Sequence, residues 1–254
     1  MRRILLLCGI LCLLLLAASC MTNRGGAAAT DPVPQGDRIV VLTFDDAVIN
    51  HRTFVAPLLK ELGFGATFFP CRWDHVWREK WPGALMGGKE LKELEDMDFE
   101  IGNHTWHHSQ ASRVSLEDFT ADVVKMEEFL SQAGIARPRS FAYPCGESTP
   151  EIRAMLRDRG YRCARTVAND SAKGADPMNL PAACINDGTP GLLEEMLSLC
   201  KPGAPIVLLY HGVPEIAHPW VNRNPEGFRQ DMALLKKEGV RVLSFRQFFD
   251  EQGK

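Results

Sequence analysis

Adjacent aspartates and closely spaced histidines are the residues of this 254-residue chain best suited to metal binding and proton transfer. Asp45 directly precedes Asp46, and His104 and His108 are four residues apart. Histidines at that spacing face the same way in a helical turn and can hold one metal ion. His107 has similar reach, so spacing alone leaves the second histidine open. Adjacent buried carboxylates repel without a cation or a proton, so one aspartate can bind the ion while the other transfers protons.

This set of residues fits metal-assisted hydrolysis. An aspartate and two histidines that leave positions open for water and substrate form a suitable catalytic zinc site, which activates water and polarises a carbonyl. His211, after the apolar residues 206–210, is of the type that protonates a leaving group near neutral pH. Taken singly, each residue also fits a polar loop, a helix cap or a hydrogen-bonded strand end. Their joint occurrence at strand ends favours the chemical interpretation.

Alternating strand-like and helix-like segments must position these residues. The predicted strands are residues 38–43, 66–69, 100–103, 140–143, 161–165, 206–210 and 240–244. The predicted helices are residues 53–62, 89–97, 115–133, 150–159, 192–200, 225–238 and 245–252. The alternation predicts one α/β domain with a mostly parallel sheet over residues 38–254. It allows both a closed barrel and an open, doubly wound sheet.

The N-terminal segment predicts export. Two arginines precede an uncharged, leucine-rich run at residues 4–19, which is shorter than the roughly 20 residues of a membrane-spanning helix. Small residues then lead into Cys20. We therefore expect a signal peptide at residues 1–19, of the lipoprotein type with Cys20 lipidated, and a flexible tether at residues 20–37. The expected location is the cell envelope or periplasm, as a lipid-anchored protein or otherwise a secreted one.

Composition and charge argue against other classes of protein. With 45% hydrophobic residues the chain is not of the disordered type. Its 29 lysines and arginines against 32 acidic residues leave a net charge of −3, so no basic field favours nucleic acid. We expect a monomer whose contact with the membrane is through the lipid anchor alone. The five cysteines after Cys20 are an odd number, so they cannot all pair within the chain.

The residues at the strand ends resemble, in order, four motifs of the polysaccharide deacetylases of carbohydrate esterase family 4, the NodB-homology group. The motifs are Thr43-Phe44-Asp45-Asp46, His104-Thr105-Trp106-His107-His108, Phe141-Ala142-Tyr143-Pro144-Cys145-Gly146 and Leu208-Leu209-Tyr210-His211. The resemblance covers about residues 38–250 and implies a distorted (β/α) barrel of about seven parallel strands. It also implies a hydrolase of non-peptide carbon–nitrogen bonds that removes N-acetyl groups from a polysaccharide containing N-acetylglucosamine, such as peptidoglycan, a chitin-like polymer or an exopolysaccharide.

The same resemblance assigns roles to residues by their position in the motifs. The cofactor would be a divalent metal ion, usually zinc, with cobalt, nickel and manganese as alternatives. The implied metal ligands are Asp46, His104 and His108. Asp45 would be the general base, His211 the general acid, and the backbone N–H of Cys145 would stabilise the oxyanion. The residues implied to line the substrate pocket are Leu209, Tyr143 and Pro144.

Two departures from the family pattern leave the substrate open. Ala142 stands where the family often has an arginine that pairs with the catalytic base. The aspartate-rich fourth motif is not evident after Arg165. The candidates to orient His211 in its place are Asp170, Asp176 and Asp187. The alternative functions are an O-deacetylase or another non-peptide carbon–nitrogen hydrolase with the same metal site, and a catalytically decayed glycan-binding lipoprotein.

Other aromatic residues and one further histidine could reach the site. The tryptophans that could stack on sugar rings or pack in the core are Trp73, Trp77, Trp81 and Trp220. Residues 71–88, which hold three of them, are predicted to form a rim loop. His51 is predicted as an ordinary loop or helix-start residue, with approach to the site as the alternative.

Overall fold

The computed structural model describes residues 38–253 except residues 74, 168–175 and 204, and of residues 75–77 it describes the backbone. The expected signal peptide, the lipidated Cys20 and the tether lie outside the described residues, as does Asp170. Among the described residues, no helix combines the length and the hydropathy of a membrane span.

Parallel strands build the fold, and the described residues contain eight of them. They are β1 (Ile39–Asp45), β2 (Thr67–Phe69), β3 (Glu100–Ile101), β4 (Ser140–Ala142), β5 (Cys163–Arg165), β6 (Ala183–Cys184), β7 (Ile206–Tyr210) and β8 (Arg241–Leu243). One sheet has the order β3-β2-β1-β7-β6, with β8 beside the first half of β1, and β4 pairs with β5 in a second sheet.

Isolated bridges join the two sheets into a nearly closed ring. Asn103, just after β3, bridges Phe141 of β4, and Arg165 at the end of β5 bridges Leu180, just before β6. The strands therefore succeed one another around a distorted parallel barrel, which confirms the predicted fold class. The prediction missed β6, because its two residues are too few to show a strand periodicity.

Helices follow the strands and cover the outside of the ring. They are α1 (Ala56–Leu62), α2 (His75–Lys80), α3 (Gly88–Asp96), α4 (Leu116–Gln132), α5 (Pro150–Asp158), α6 (Leu192–Ser198), α7 (Pro225–Lys237) and α8 (Phe245–Glu251). A π-helical turn, His51–Val55, leads into α1. The short α2 lies in the segment that the sequence predicts as a rim loop, so that prediction is wrong over these six residues.

The alternation of side chains along β1 decides which of its residues face the inside of the ring. Ile39 and Val41 pack with Leu209 in one buried cluster, whereas Val40 and Leu42 belong to a second cluster shared with the helices. Successive side chains of a strand point to opposite faces. Asp45 therefore continues the inner row of β1, at the carboxyl end of the strand.

Candidate active site

A cavity of about 430 Å³ opens where the carboxyl ends of the strands meet. The predicted site residues that line it are Asp45, Asp46, His104, His108, Tyr143, Cys145, Leu209 and His211. Pro144 does not line the cavity. It is buried and begins a short turn, Pro144–Gly146, where its fixed φ suits a first turn position. The structure thus brings together every predicted site residue except Pro144.

Three predicted metal ligands form a compact cluster in this cavity. The Nε2 atoms of His104 and His108 lie 3.7 and 3.8 Å from Oδ1 of Asp46. One ligand atom from each residue lies within 4.8 Å of the others. Nδ1 of His104 donates to the carbonyl of Ala142 at 2.7 Å, so its Nε2 presents a lone pair to the carboxylate, as metal-binding histidines do.

The choice between His107 and His108 is made by the loop after β3. Nδ1 of His107 lies 2.5 Å from Oδ1 of Asp122 and is engaged outside the cluster. The helical turn assumed for the two ligands is absent, because this loop has no helical residues. The histidine rings meet instead because Thr105 and His108 adopt left-handed φ values of 62° and 60°.

Backbone strain is concentrated at these ligand loops. Asp46 also has a left-handed φ, of 71°, and such a conformation costs a non-glycine residue roughly 1–2 kcal/mol. Hydrogen bonds hold the strained loop after β3, since the N–H of Thr105 donates to Oδ1 of Asn103 at 2.8 Å and its Oγ1 accepts from the N–H of Ser109 at 3.0 Å. Strain maintained in this way is typical of functional sites.

A buried arginine separates the properties of the two adjacent aspartates. Burial by itself raises the pKa of Asp45, but the guanidinium of Arg165 and then His104 and His211 lower it to about 2. Nη2 of Arg165 forms an ion pair with Oδ1 of Asp45. For Asp46, burial and the neighbouring Asp45 carboxylate raise the pKa well above its usual range. Asp45 is therefore held as the anion, whereas Asp46 needs a proton or a cation.

Sequence reasoning missed the role of Arg165. In the β4–β5 pair, Arg165 is the register partner of Ala142, the position at which the motif comparison expects an arginine. Its side chain is fully buried, which for an arginine requires a charged partner. The signal in the sequence was a basic residue ending the otherwise apolar β5.

The cluster suits a divalent cation. Its donors are one carboxylate and two imidazoles, a set that zinc accepts in catalytic sites while keeping positions open. A cation would also offset the cost of the two buried carboxylates on adjacent residues. The residues present therefore fit the metal ion that the motifs imply.

His211 has a different neighbour from the aspartates proposed for it. Asp176 pairs with Arg157 at 2.7 Å, and Asp187 accepts from Asn222 at 2.6 Å. Neither orients His211, whose Nδ1 lies 3.9 Å from the Sγ of Cys184. Burial lowers the pKa of His211 to about 4, so the imidazole rests neutral at pH 7. Because Cys184 lies on the unpredicted β6, periodicity could not reveal this contact.

His51 begins the π-helical turn before α1, which fits the predicted helix-start position. It is fully buried, and its Nε2 lies 2.9 Å from the carbonyl oxygen of His211. Its ring packs edge-on against Phe44 with centroids 5.3 Å apart. His51 therefore supports the end of β7 without lining the cavity.

Several thiols lie at or near the cavity. Cys145, whose φ is 54°, accepts a hydrogen bond from Nε2 of Gln110 at 2.8 Å. The Sγ of Cys71 lies 3.4 Å from Oδ1 of Asp46. The described cysteines form no disulfide. The thiols of Cys71 and Cys145 therefore contribute hydrogen bonds to this region.

Comparisons with known proteins show what this chain is similar to. A model of the polysaccharide deacetylase family matches residues 33–164, just over half of the chain. A peptidoglycan-N-acetylglucosamine deacetylase of Bacillus cereus is 25% identical over 213 residues, which are 84% of this chain and 88% of the relative.

Similar structures extend over most of the chain. The peptidoglycan deacetylase PdaC from Bacillus subtilis has a TM-score of 0.59 at 17% identity, covering 87% of this chain and 94% of that one. The Xyl-CE4 domain of a multidomain xylanase from the hindgut metagenome of Trinervitermes trinervoides has a TM-score of 0.60 at 16% identity, covering 86% and 92%. At these identities the likeness shows a shared fold.

Proposed function

The chain belongs to the polysaccharide deacetylase family, and from this premise we propose that it is a metal-dependent hydrolase of N-acetyl groups on a glycan containing N-acetylglucosamine. The observation that carries the proposal is the content of one cavity. The cavity is lined by the three residues that could bind a metal ion, Asp46, His104 and His108. The anionic carboxylate of Asp45 and the neutral imidazole of His211 line it as well. Amide hydrolysis needs an activated water, a stabilised oxyanion and a protonated amine.

We assign the roles as follows from the surroundings of each residue. When bound by Asp46, His104 and His108, a divalent cation such as zinc supplies positive charge that polarises the amide carbonyl. Asp45 accepts a proton from the attacking water, since its low pKa keeps the carboxylate ionised. The backbone N–H of Cys145 serves as the oxyanion donor.

His211 donates a proton to the departing amine. Because burial holds its pKa at about 4, His211 carries no extra proton in the resting enzyme. The proton that it passes to the amine balances the one that Asp45 takes from the attacking water. Leu209 and Tyr143 line the same cavity and provide apolar surface for the acetyl methyl group. Arg165 acts through Asp45 as a positioning residue.

The O-deacetylase alternative loses the argument that favoured it. It rested on the missing arginine at Ala142, yet Arg165 supplies a guanidinium to the same carboxylate from the neighbouring strand. A decayed, glycan-binding protein would have no need to maintain the buried charges of Asp45 and Arg165, which are costly without a function.

Metal analysis combined with an acetate-release screen tests the proposal. The mature protein, loaded with zinc, is incubated with N-acetylglucosamine oligomers, peptidoglycan and acetylated xylan. We expect acetate from an N-acetylated substrate, lost on chelation and restored by zinc. Acetate from the xylan alone would favour O-deacetylation, and no acetate from any substrate by metal-loaded protein would refute the hydrolase.

We also propose that the protein acts in the cell envelope as a monomer anchored through Cys20. The support is the sequence of the N-terminal residues. Labelling of expressing cells with palmitate should mark the protein, and Cys20→Ala should lose the label and release it from the membrane fraction. Light scattering of the mature form measures the oligomeric state. An unlabelled protein in the wild type would refute the anchor.

A further inference from the structure

A carboxylate lies on the buried face of α4, outside the cavity and without a part in the proposed reaction. The buried residues of this helix are Phe119, Asp122, Val123, Met126 and Leu130, which recur at the spacing of one helical face. All of them except Asp122 are apolar. Asp122 is only 5% exposed, and burying a carboxylate is costly unless hydrogen-bond donors surround it. The partners of Asp122 therefore indicate its role.

The side chain of Asp122 is hydrogen-bonded to the loop after β3, which carries two of the candidate metal ligands. Its Oδ2 accepts from the backbone N–H of His107 at 2.9 Å and from Oγ of Ser109 at 2.8 Å. Its Oδ1 accepts from Nδ1 of His107 at 2.5 Å. Both oxygens of the carboxylate are thus engaged by the two residues that flank His108.

The backbone of α4 holds the same loop at two further points. The carbonyl oxygen of Asp122 accepts from the N–H of Trp106 at 3.2 Å, and that of Val123 accepts from Nδ2 of Asn103 at 3.1 Å. A carbonyl oxygen has two lone pairs, so it can accept these bonds beside those within the helix. Oδ1 of Asn103 in turn accepts from the N–H of Thr105. One turn of α4 therefore contacts the loop before the first histidine ligand and again between the two.

The conformation of this loop needs support from outside the loop. Thr105 and His108 have left-handed φ values of 62° and 60°, which are unfavourable for residues with a Cβ and persist only where the surroundings impose them. In this arrangement the ring centroids of His104 and His108 lie 4.8 Å apart. Because His107 directly precedes His108 and donates twice to Asp122, the carboxylate fixes the backbone at the point where it turns.

We propose that Asp122 is a positioning residue for the metal site, which holds the loop after β3 in the conformation that lets both of its histidines bind one divalent cation. This inference rests on the proposed function and deepens it. Asp122 does not line the cavity, so it acts on the cation through His107 and the backbone of the loop. Without Asp122 the three candidate ligands remain in the chain, but the cation has to order the loop as it binds. The free energy of that ordering weakens the binding.

Zinc affinity tests the positioning role without turnover. The Kd of zinc is measured by competition with a chromogenic chelator for the wild type, Asp122→Asn and Asp231→Asn. We expect Asp122→Asn to bind zinc about 10- to 100-fold more weakly, the usual range for residues that orient metal ligands. Asp231 is the matched control, because it lies on the buried face of α7 and accepts from Tyr210 and Arg223, outside the loop after β3. Asp231→Asn should lose stability and keep the zinc affinity of the wild type.

His107→Ala keeps the test decisive if Asp122→Asn does not fold. The side chain of His107 is 49% exposed, so its removal spares the core, and the variant loses one of the donors to Asp122. We expect it to bind zinc about three- to tenfold more weakly, because the N–H of residue 107 still donates to the carboxylate. Thermal unfolding of each metal-free variant shows that it is folded.

Activity separates this inference from the proposed function. At saturating zinc, Asp122→Asn should regain most of the wild-type acetate release, whereas Asp46→Asn should not. Wild-type zinc affinity in His107→Ala and in folded Asp122→Asn, or an equal loss in Asp231→Asn, would overturn the positioning role and leave deacetylation intact. Zinc binding that depends on Asp122, without acetate release by the wild type, would overturn the proposed function and leave the positioning role standing. A wild type that binds no zinc would overturn both.

Discussion

At the scale of single residues, the ion pair of Arg165 with Asp45 sets the chemistry of the cavity. Nε and Nη1 of Arg165 are buried and find no hydrogen-bond acceptor among the described residues, at a cost of about 1–3 kcal/mol each. A protein stabilised by apolar packing alone would not keep such a group. The ion pair with Asp45 offsets this cost of burying the guanidinium, and it keeps the Asp45 carboxylate ionised beside Asp46.

Moving the arginine across the strand pair tests its positioning role. Arg165→Ala should lower kcat by about 100-fold or more, because Asp45 loses the charge that keeps it ionised and in place. Adding Ala142→Arg should restore part of the rate, since the two positions are register partners. Steady-state kinetics and thermal unfolding of both variants provide the measurement.

A purely structural role predicts a different pattern. In that case the double variant would regain the unfolding temperature without regaining kcat. Arg165→Lys is the matched control, since it keeps the charge and loses the planar guanidinium.

The two adjacent aspartates should separate metal binding from catalysis. Asp45→Asn should retain the metal and lose about 100- to 10,000-fold in kcat, the range of general-base catalysis. Asp46→Asn should lose the metal together with activity, because Asp46 belongs to the ligand cluster. Zinc content after dialysis is measured beside kcat. Loss of zinc from the Asp45 variant would refute this division of roles.

At the scale of elements, the π-helical turn before α1 supports the end of β7. His51 at the start of this turn contacts the backbone of His211 and packs against Phe44 and Phe68. The contact links the element after β1 to the catalytic end of β7. Burial lowers the pKa of His51 to about 4, so the link is built around a neutral imidazole.

This buried imidazole predicts a pH dependence of stability. Below pH 6.5 the unfolded chain binds a proton at residue 51, but the folded protein does so only near pH 4. The free energy of unfolding therefore falls as the pH is lowered through this window, by about 3 kcal/mol from His51. His51→Gln keeps a donor for the His211 carbonyl and does not titrate, so its stability should fall less.

Denaturant unfolding of metal-free wild type and His51→Gln, at intervals between pH 7 and 4, measures the difference. Metal-free protein is used because ligand binding has its own pH dependence. Parallel curves for the two proteins would contradict a neutral buried His51. A wild type that is more stable than His51→Gln at pH 7, taken by itself, would show only that the variant has lost packing around the imidazole.

At the scale of the whole molecule, the three candidate metal ligands come from segments that are distant in the chain. Asp46 follows β1, whereas His104 and His108 lie in the loop after β3. The loops that bring them together are strained. An ion that binds this cluster binds the folded barrel alone, and so stabilises it by mass action.

Metal removal should therefore destabilise the fold as well as abolish activity. At free zinc 100-fold above its Kd the stabilisation is about 2.7 kcal/mol, which corresponds to about 5–10 °C in Tm for a domain of this size. Calorimetric scans with zinc and with a chelator measure the shift. Asp46→Asn should show no shift, and an equal shift in that variant would place the ion elsewhere.

The sequence by itself determined the fold class and most of the site. Apolar runs, helix periodicity and polar residues at strand ends are local patterns. In a parallel barrel they have one consequence: the carboxyl ends of the strands meet. The sequence therefore predicts Asp45, Asp46, His104 and His211 at one cavity. The position of Leu209 in the cavity was implied by the motif resemblance alone.

Tertiary structure decided the contacts between segments that no local pattern relates. The left-handed loop after β3 selected His108 over His107, and the β4–β5 register delivered Arg165 to Asp45. The two-residue β6 placed Cys184 beside His211. Register and loop dihedral angles depend on packing across the whole barrel. A sequence read one segment at a time therefore shows which residues reach the site, but not which neighbours complete it.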